Sequence, residues 1–172
     1  KLAAVGAGVA LAAGDEALGF DFNPVADRIR VVTAAGRNLR LQPDTGALAA
    51  EDAALRYADG DTAAGTPARV GAAAYTYNKN DVKLTTNYAI DVARGTLLRQ
   101  GSAEGAQPVV SPNSGLLATV GALGTGAVDD AALDIADVGN TALAALRQGG
   151  VTRLHLIDLA TADESGSDNR AL

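Results

Sequence analysis

The sequence predicts an all-β repeat protein of radial or sandwich type, and three observations carry that reading. Residues 19–46, GFDFNPVADRIRVVTAAGRNLRLQPDTG, hold three short apolar runs separated by turn residues. Phe20 and Phe22 flank Asp21, and Leu39 and Leu41 flank Arg40, which is the period-two alternation of strands followed by turn chemistry. The same plan recurs twice downstream, and short strands separated by turn signals belong to all-β architectures. Composition agrees: 48% of the residues are hydrophobic, mostly Ala, Val and Leu, with two Phe, four Tyr, no Trp and no Met. A core of small aliphatic side chains requires close backbone packing, and the twenty glycines suit turns and tight approaches between strands.

The elements follow in order. Lys1 and LAAVGAGVALAAG have the look of a signal peptide, a basic residue before about a dozen apolar ones. Leu2–Gly8 also nearly repeats Leu117–Leu123, and a repeat accounts for both copies, so residues 1–8 are expected to form a strand. The first unit, about 18–57, reads GFDFNP, RIRVVTA, NLRLQPDTG and the weaker ALAAEDAALRY. The second, about 70–124, reads VGAAAYTY, VKLTTNYAIDVARG, TLLRQ and GLLATVGAL. The third, about 132–162, reads LDIADV, TALAALRQGG and TRLHLIDLATA.

A shared turn punctuates them: Leu41-Gln-Pro-Asp-Thr-Gly46, Ile90-Asp-Val-Ala-Arg-Gly95 and Ile157-Asp-Leu-Ala-Thr-Ala162. Its Asp is expected to accept local backbone hydrogen bonds. Residues 59–68 and 101–114 have loop composition and read as insertions. Local propensity favours a helix over Asn140–Gly149, with an N-cap candidate and good helix formers. The repeat register places the same residues in a strand, and tertiary context overrides propensity.

Fourteen basic against twenty acidic residues give a formal charge of −6, with no basic cluster to attract nucleic acid. No apolar run approaches the roughly 20 residues that a membrane-spanning helix needs. With no Cys, disulfides, thiolate catalysis and Cys-based zinc sites are all excluded. The lack of both sulfur-containing residues is compatible with life outside the cell, where thiols and thioethers oxidise.

GFDFNPVADRIRVVTAAGRNLRLQPDTGAL, followed by VGAAAYT, TTNYAID, LLATVGALG and NTALAAL with LHLIDLATA, closely resembles the DUF4394 family across essentially the whole chain. The resemblance implies a secreted, periplasmic or cell-surface bacterial protein built as a β-propeller-like repeat of antiparallel four-stranded blades, with about three blades in this chain as a single domain over residues 1–172. It also implies that further blade-like segments precede Lys1 in relatives. Three blades do not close a ring, since propellers have four to eight, so residues 1–8 are expected to be an orphan blade strand. The chain is then a portion of a larger propeller, or it closes its sheets against other protein chains or by self-assembly.

On a propeller the first strand of each blade lines the central channel. Asp21, Tyr75 and Asp134 are therefore the channel candidates, and Asp21 with Asp134 the candidate ligands for a hard cation such as calcium. The alternative role for both is hydrogen bonding to neighbouring backbone. Asp129, Asp130, Asp134 and Asp137 are spaced loosely like a calcium loop but lack the Gly and terminal Glu of one, and read as a solvated acidic loop. His155 shares a strand face with Arg153, opposite Leu154 and Leu156, and is expected to be half-exposed. Arg28, Arg30 and Arg40 read as an exposed strand face and, with Arg37, as cross-strand partners of acidic residues or an anion-binding surface. The glycines at 6–8 and 121–126 read as turns, since neither set opens a strand-to-helix dinucleotide unit. No nucleophile elbow or assembled triad is visible. The expectation is a non-enzymatic extracytoplasmic interaction or structural module without a cofactor, the alternative being a calcium-dependent, lactonase-like propeller hydrolase.

Overall fold

The three units become three sheets, and the computed structural model describes residues 1–137 and 139–163 of them. Sheet A is a meander of β1 (Leu18–Asn23), β2 (Arg28–Thr33), β3 (Asn38–Leu41) and β4 (Leu48–Glu51). The chain then forms β5 (Arg56–Tyr57), β6 (Val70–Tyr75), β7 (Asn87–Asp91), β8 (Thr96–Gln100) and β9 (Leu116–Ala122), which make sheet B in the order β5-β9-β8-β7-β6. Sheet C is a second meander, β10 (Asp130–Ile135), β11 (Ala142–Gln148) and β12 (Val151–Ile157). All pairings are antiparallel except β5 with β9. The described residues contain no α-helix, only a short 3₁₀ turn at Pro112–Ser114. β11 is therefore a strand where local propensity favours helix: Ala142, Ala144 and Leu146 point into the core, and burial of that face outweighs propensity.

The recurring turn is visible atom by atom. Gly46 donates its amide to the Gln42 carbonyl, Gly95 to Asp91 and Ala162 to Asp158, each at 2.8 Å. The closing residues take φ of 64°, 59° and 69°, which Gly adopts without strain and Ala does not. The Asp91 carboxylate accepts from the amides of Ala93 and Arg94, and the Asp158 carboxylate from Ala160 and Thr161, as expected of Asp in turns. In the first copy Gln42 fills the matching slot, so Asp44 sits two residues further into the turn.

The sheets pack face to face with B in the middle. Val32 of sheet A joins Val70, Ala73, Ala89, Leu98 and Leu117 of sheet B in one cluster. A larger cluster joins Ala72, Ala74, Tyr88, Ile90 and Leu97 of sheet B to Ile135, Ala142, Ala144, Leu146 and Ile157 of sheet C. The innermost strands β1, β6 and β10 lie side by side. Gly19 faces the backbone of Ala72 and Ala73, and Asp21 meets Tyr75 two residues on, so β1 and β6 run in the same direction. A β-carbon at Gly19 would collide with the Ala73 amide nitrogen, which is why Gly stands there.

Three expectations need correction. Residues 1–8 form no strand: Gly6 and Gly8 take φ of 69° and 80°, whereas Gly121, in the matching sequence, stays within β9. The N-terminal segment instead runs over the outside of sheet A, where Val9 packs on Ile29, Val31 and Leu39. Second, the first unit does not keep its last residues, because Arg56–Tyr57 crosses to sheet B and pairs in parallel with Leu116–Leu117. Third, β2 is buried on both faces and β12 is turned over: Arg30 is 2% exposed beside Ile29 and Val31 at 7% each, and His155 is 9% exposed while Leu154 and Leu156 are each 39%.

Candidate functional site

Two groups of polar residues are held between the sheets, and both start from the inner strands. In the first, Asp21 reaches from β1 toward β6, where one carboxylate oxygen accepts the Tyr75 amide at 2.7 Å and the other the Phe22 amide at 2.7 Å. Burial pushes the Asp21 carboxyl above its ordinary range, the two amide bonds oppose this, and the charge of Asp134 adds to the rise. The structure thus brings Asp21, Tyr75 and Asp134 into one neighbourhood. Asp21 already spends both oxygens on backbone amides, and among the described residues no three His, Cys, Asp or Glu side chains converge as a metal would require. Asp129, Asp130, Asp134 and Asp137 are all exposed, and Asp130 lies 3.7 Å from Arg147 on the neighbouring strand.

The second group is centred on Arg30. Its Nε donates to the Tyr75 hydroxyl at 3.0 Å, one terminal nitrogen to Asn38 at 2.5 Å and Asp52 at 3.0 Å, and the other to Asn113 at 2.6 Å. Asn38 also accepts from Gln100 and donates to the carbonyls of Ala53 and Pro112. Asp52 accepts two further bonds from Arg40, each 2.8 Å. Burial alone would raise the Asp52 carboxyl, but the Arg40 and Arg30 hydrogen bonds outweigh it and hold the group below its usual range. A guanidinium whose three nitrogens already spend four of their five N–H donors on four side chains, and which is 2% exposed, is a structural clamp between two sheets. The reading of Arg30 as part of an exposed anion surface is therefore corrected. Arg37 and Arg40 do pair with acidic residues, Arg37 with Glu51 at 2.9 Å and Asp15 at 3.3 Å.

Two buried carboxylates were not singled out by the sequence. Asp15 accepts the Thr33 hydroxyl, the Ala12 amide and the Arg37 guanidinium, and these hold its carboxyl below the ordinary range. Asp91 accepts the Tyr57 hydroxyl at 2.6 Å, and burial together with that bond pushes the Tyr57 phenol well up. A local signal existed for Asp91 in the turn motif; none existed for Asp15, whose side-chain partners Thr33 and Arg37 lie beyond the first strand.

His155 lines an open cleft of about 450 Å³ between sheets B and C, together with Arg153, Gln148, Asp163 and Thr125. Thr125 is the one hydroxyl among the described lining residues. A second open cleft, about 520 Å³, is lined by Thr76, Tyr88, Glu104 and Asp158 among others. No helix among the described residues is long and apolar enough to cross a membrane.

A family model described as a domain of unknown function, DUF4394, matches residues 1–167. The chain belongs to the DUF4394 family. The match takes in all three sheets of this DUF4394 chain, so the inner-strand carboxylates, the Arg30 clamp and the turn motif all fall within the matched region. Comparison with curated proteins and with solved structures returned no match.

Proposed function

We propose that this DUF4394 chain is a non-enzymatic interaction or structural module of the bacterial exterior, secreted, periplasmic or held at the cell surface, built as three blades of a propeller-like arrangement whose end faces bind protein. One observation carries the reading: both ends of the three-sheet stack present apolar side chains to solvent. On sheet A, Phe20, Phe22 and Leu48 are 52%, 53% and 46% exposed, and on sheet C, Leu143, Leu154 and Leu156 are 43%, 39% and 39% exposed. Contiguous apolar patches on an otherwise soluble surface mark interaction sites. The radial arrangement is supported by the first strand of each unit lying innermost and by the shared direction of β1 and β6. The absence of Cys and Met supports the compartment.

The test is a photoactivated crosslinker placed at position 154 and, as a control, at Lys79 in an exposed loop, in cells that are then fractionated. The reading expects the chain outside the cytoplasm and polypeptide adducts from position 154 but not from 79. A cytoplasmic chain, or no adducts from 154, would overturn it. A second reading, the calcium-dependent propeller hydrolase, draws on the proximity of Asp21 and Asp134, and its test is a melting-temperature shift on adding calcium.

A further inference from the structure

The stack has a direction. Sheet A presents Gly19, Asp21, Arg30, Val32 and Asn38 to sheet B, and sheet B presents Tyr88, Ile90 and Leu97 to sheet C. Among the described residues no sheet lies on the corresponding forward face of sheet C. Strand register sets Leu143 beside Leu156 and Asp134, and Ala145 beside Leu154 and Ala132, so this face has a central apolar strip like those buried at the two internal interfaces. At the opposite end, register sets Phe22, Ile29, Leu41 and Leu48 in one row and Phe20, Val31 and Leu39 in the next. Val9 covers the middle of that face, leaving the T-shaped pair Phe20 and Phe22, with ring centroids 6.2 Å apart, at the inner edge.

We propose that the chain pairs with a second copy of itself head to tail, the forward face of sheet C in each copy seating on the outer face of sheet A in the other. The proposal rests on the module reading above and names its partner. Three features of the molecule select this occupant. First, the contact continues a series already formed twice within the chain, A on B and B on C, so the required surface is another sheet of the same kind. Second, Asp21 holds the next inner strand by accepting the Tyr75 amide, and Asp134 occupies the inner strand of the open face, exposed, where it can accept an amide from β1 of the partner in the same way. Third, one two-fold axis makes both contacts at once and leaves neither apolar end bare. Isologous pairing of sheet C with sheet C would leave Phe20 and Phe22 in water. The area suffices: a three-stranded face of seven-residue strands covers roughly 14 by 23 Å. Two such contacts, counted on both partners, remove roughly 1,300 Å², within the range of stable interfaces.

The experiment is light-scattering mass of the chain across a concentration series, with Leu154→Glu and Phe22→Glu as separate variants. The unmodified chain is expected at twice 17.2 kDa, and each variant at half that mass with unchanged circular dichroism. Both variants must dissociate, because one alters the sheet C face and the other the sheet A face of the same head-to-tail contact. Leu154→Ser and Phe22→Ser replace the Glu variants if a charge disturbs the fold. A monomer at every concentration, or a dimer that survives either Phe22→Glu or Leu154→Glu, would overturn the proposal. If the chain is monomeric yet position 154 crosslinks to a different polypeptide, self-pairing fails and the module reading stands. A monomeric chain with no adducts from 154 sinks both.

Discussion

The two internal interfaces of this molecule are built on different principles. Sheet B meets sheet C through Ile90, Leu97, Ile135, Ala144, Leu146 and Ile157, nearly all aliphatic, with the Tyr77 amide to the Asn140 side chain as a polar contact at its edge. Sheet A meets sheet B through Val32 and its neighbours on one side and the Arg30, Asn38, Tyr75, Gln100 and Asn113 network on the other. Apolar contact is non-directional and tolerates small slips, while a guanidinium held by four side chains fits one register only. The difference teaches that adhesion and registry are divided between the two sides of sheet B. The A–B side fixes how the sheets align, and the B–C side supplies burial.

The largest test of that division is Arg30→Met. It removes one partner of a buried ion pair and leaves the Tyr75 hydroxyl and the Asn113 side-chain oxygen without their Arg30 donor, and should cost about 3–5 kcal/mol in urea unfolding. A loss near 1 kcal/mol would show the network to be ornamental. On the other side, Leu146→Ala, at a site 3% exposed, should cost about 2–4 kcal/mol through lost burial and the cavity left behind. Its effect should be additive with Arg30→Met within about 0.5 kcal/mol if the interfaces are independent.

Acid should separate the two sides next. Asp15 and Asp52 are held below the ordinary value of 3.8. A depressed carboxylate contributes stability that is present above that value and lost as pH falls through the folded-state value. Glu16, Glu51 and Asp61 are shifted the same way, and only Asp21 works against them, losing stability as pH rises from 3.8. Amide exchange between pH 5 and 2.5 should therefore deprotect sheet A before sheet C. Simultaneous loss, or sheet C first, would break the comparison. Smaller still, calcium should leave the melting temperature level with a chelator-treated control; a rise that disappears in Asp21→Asn would favour the metal reading. The smallest effect belongs to Phe22→Ala, which should change the stability of the dilute monomer by about 0.5 kcal/mol or less.

What the sequence made legible was periodicity; what it hid was orientation. Alternation placed β1, β2, β3, β11 and β12 correctly, and the repeat register outweighed the helical propensity of Asn140–Gly149. The direction of each face was not local information. Arg30 is buried because Asn113, 83 residues away, and Tyr75, 45 away, come to meet it, and nothing near RIRVV announces either. Leu154 and Leu156 read as the face opposite a half-exposed His155, whereas they are the exposed ones, because sheet C carries apolar residues on both sides. The candidate residues Asp21 and Asp134 lie on β1 and β10; the Arg30 clamp was missed. Residues 1–8 misled through likeness to Leu117–Leu123, since two left-handed glycines break an extended run that composition alone permits.

The crossing of β5 to sheet B bears on how the molecule carries load. Arg56–Tyr57 lies parallel to the start of β9, and Tyr57 is anchored to Asp91 across sheet B. The amides of Ala53, Arg56 and Ala58 bond the carbonyls of Asn113, Gly115 and Leu117. A pull between the ends of the chain thus loads this seam lengthwise, so several bonds must fail together before sheet A can part from sheet B. The passage from sheet B to sheet C, made by residues 123–129, is held by the amides of Leu123, Val128 and Asp129 on the carbonyls of Gly95, Val92 and Arg147 and by the Gln148 side chain on the carbonyls of Thr125 and Ala127, but pairs no strand of sheet C with a strand of sheet B. Stretching should therefore peel sheet C away while A and B stay locked, so the molecule behaves under tension as a rigid two-sheet anchor with one yielding leaf.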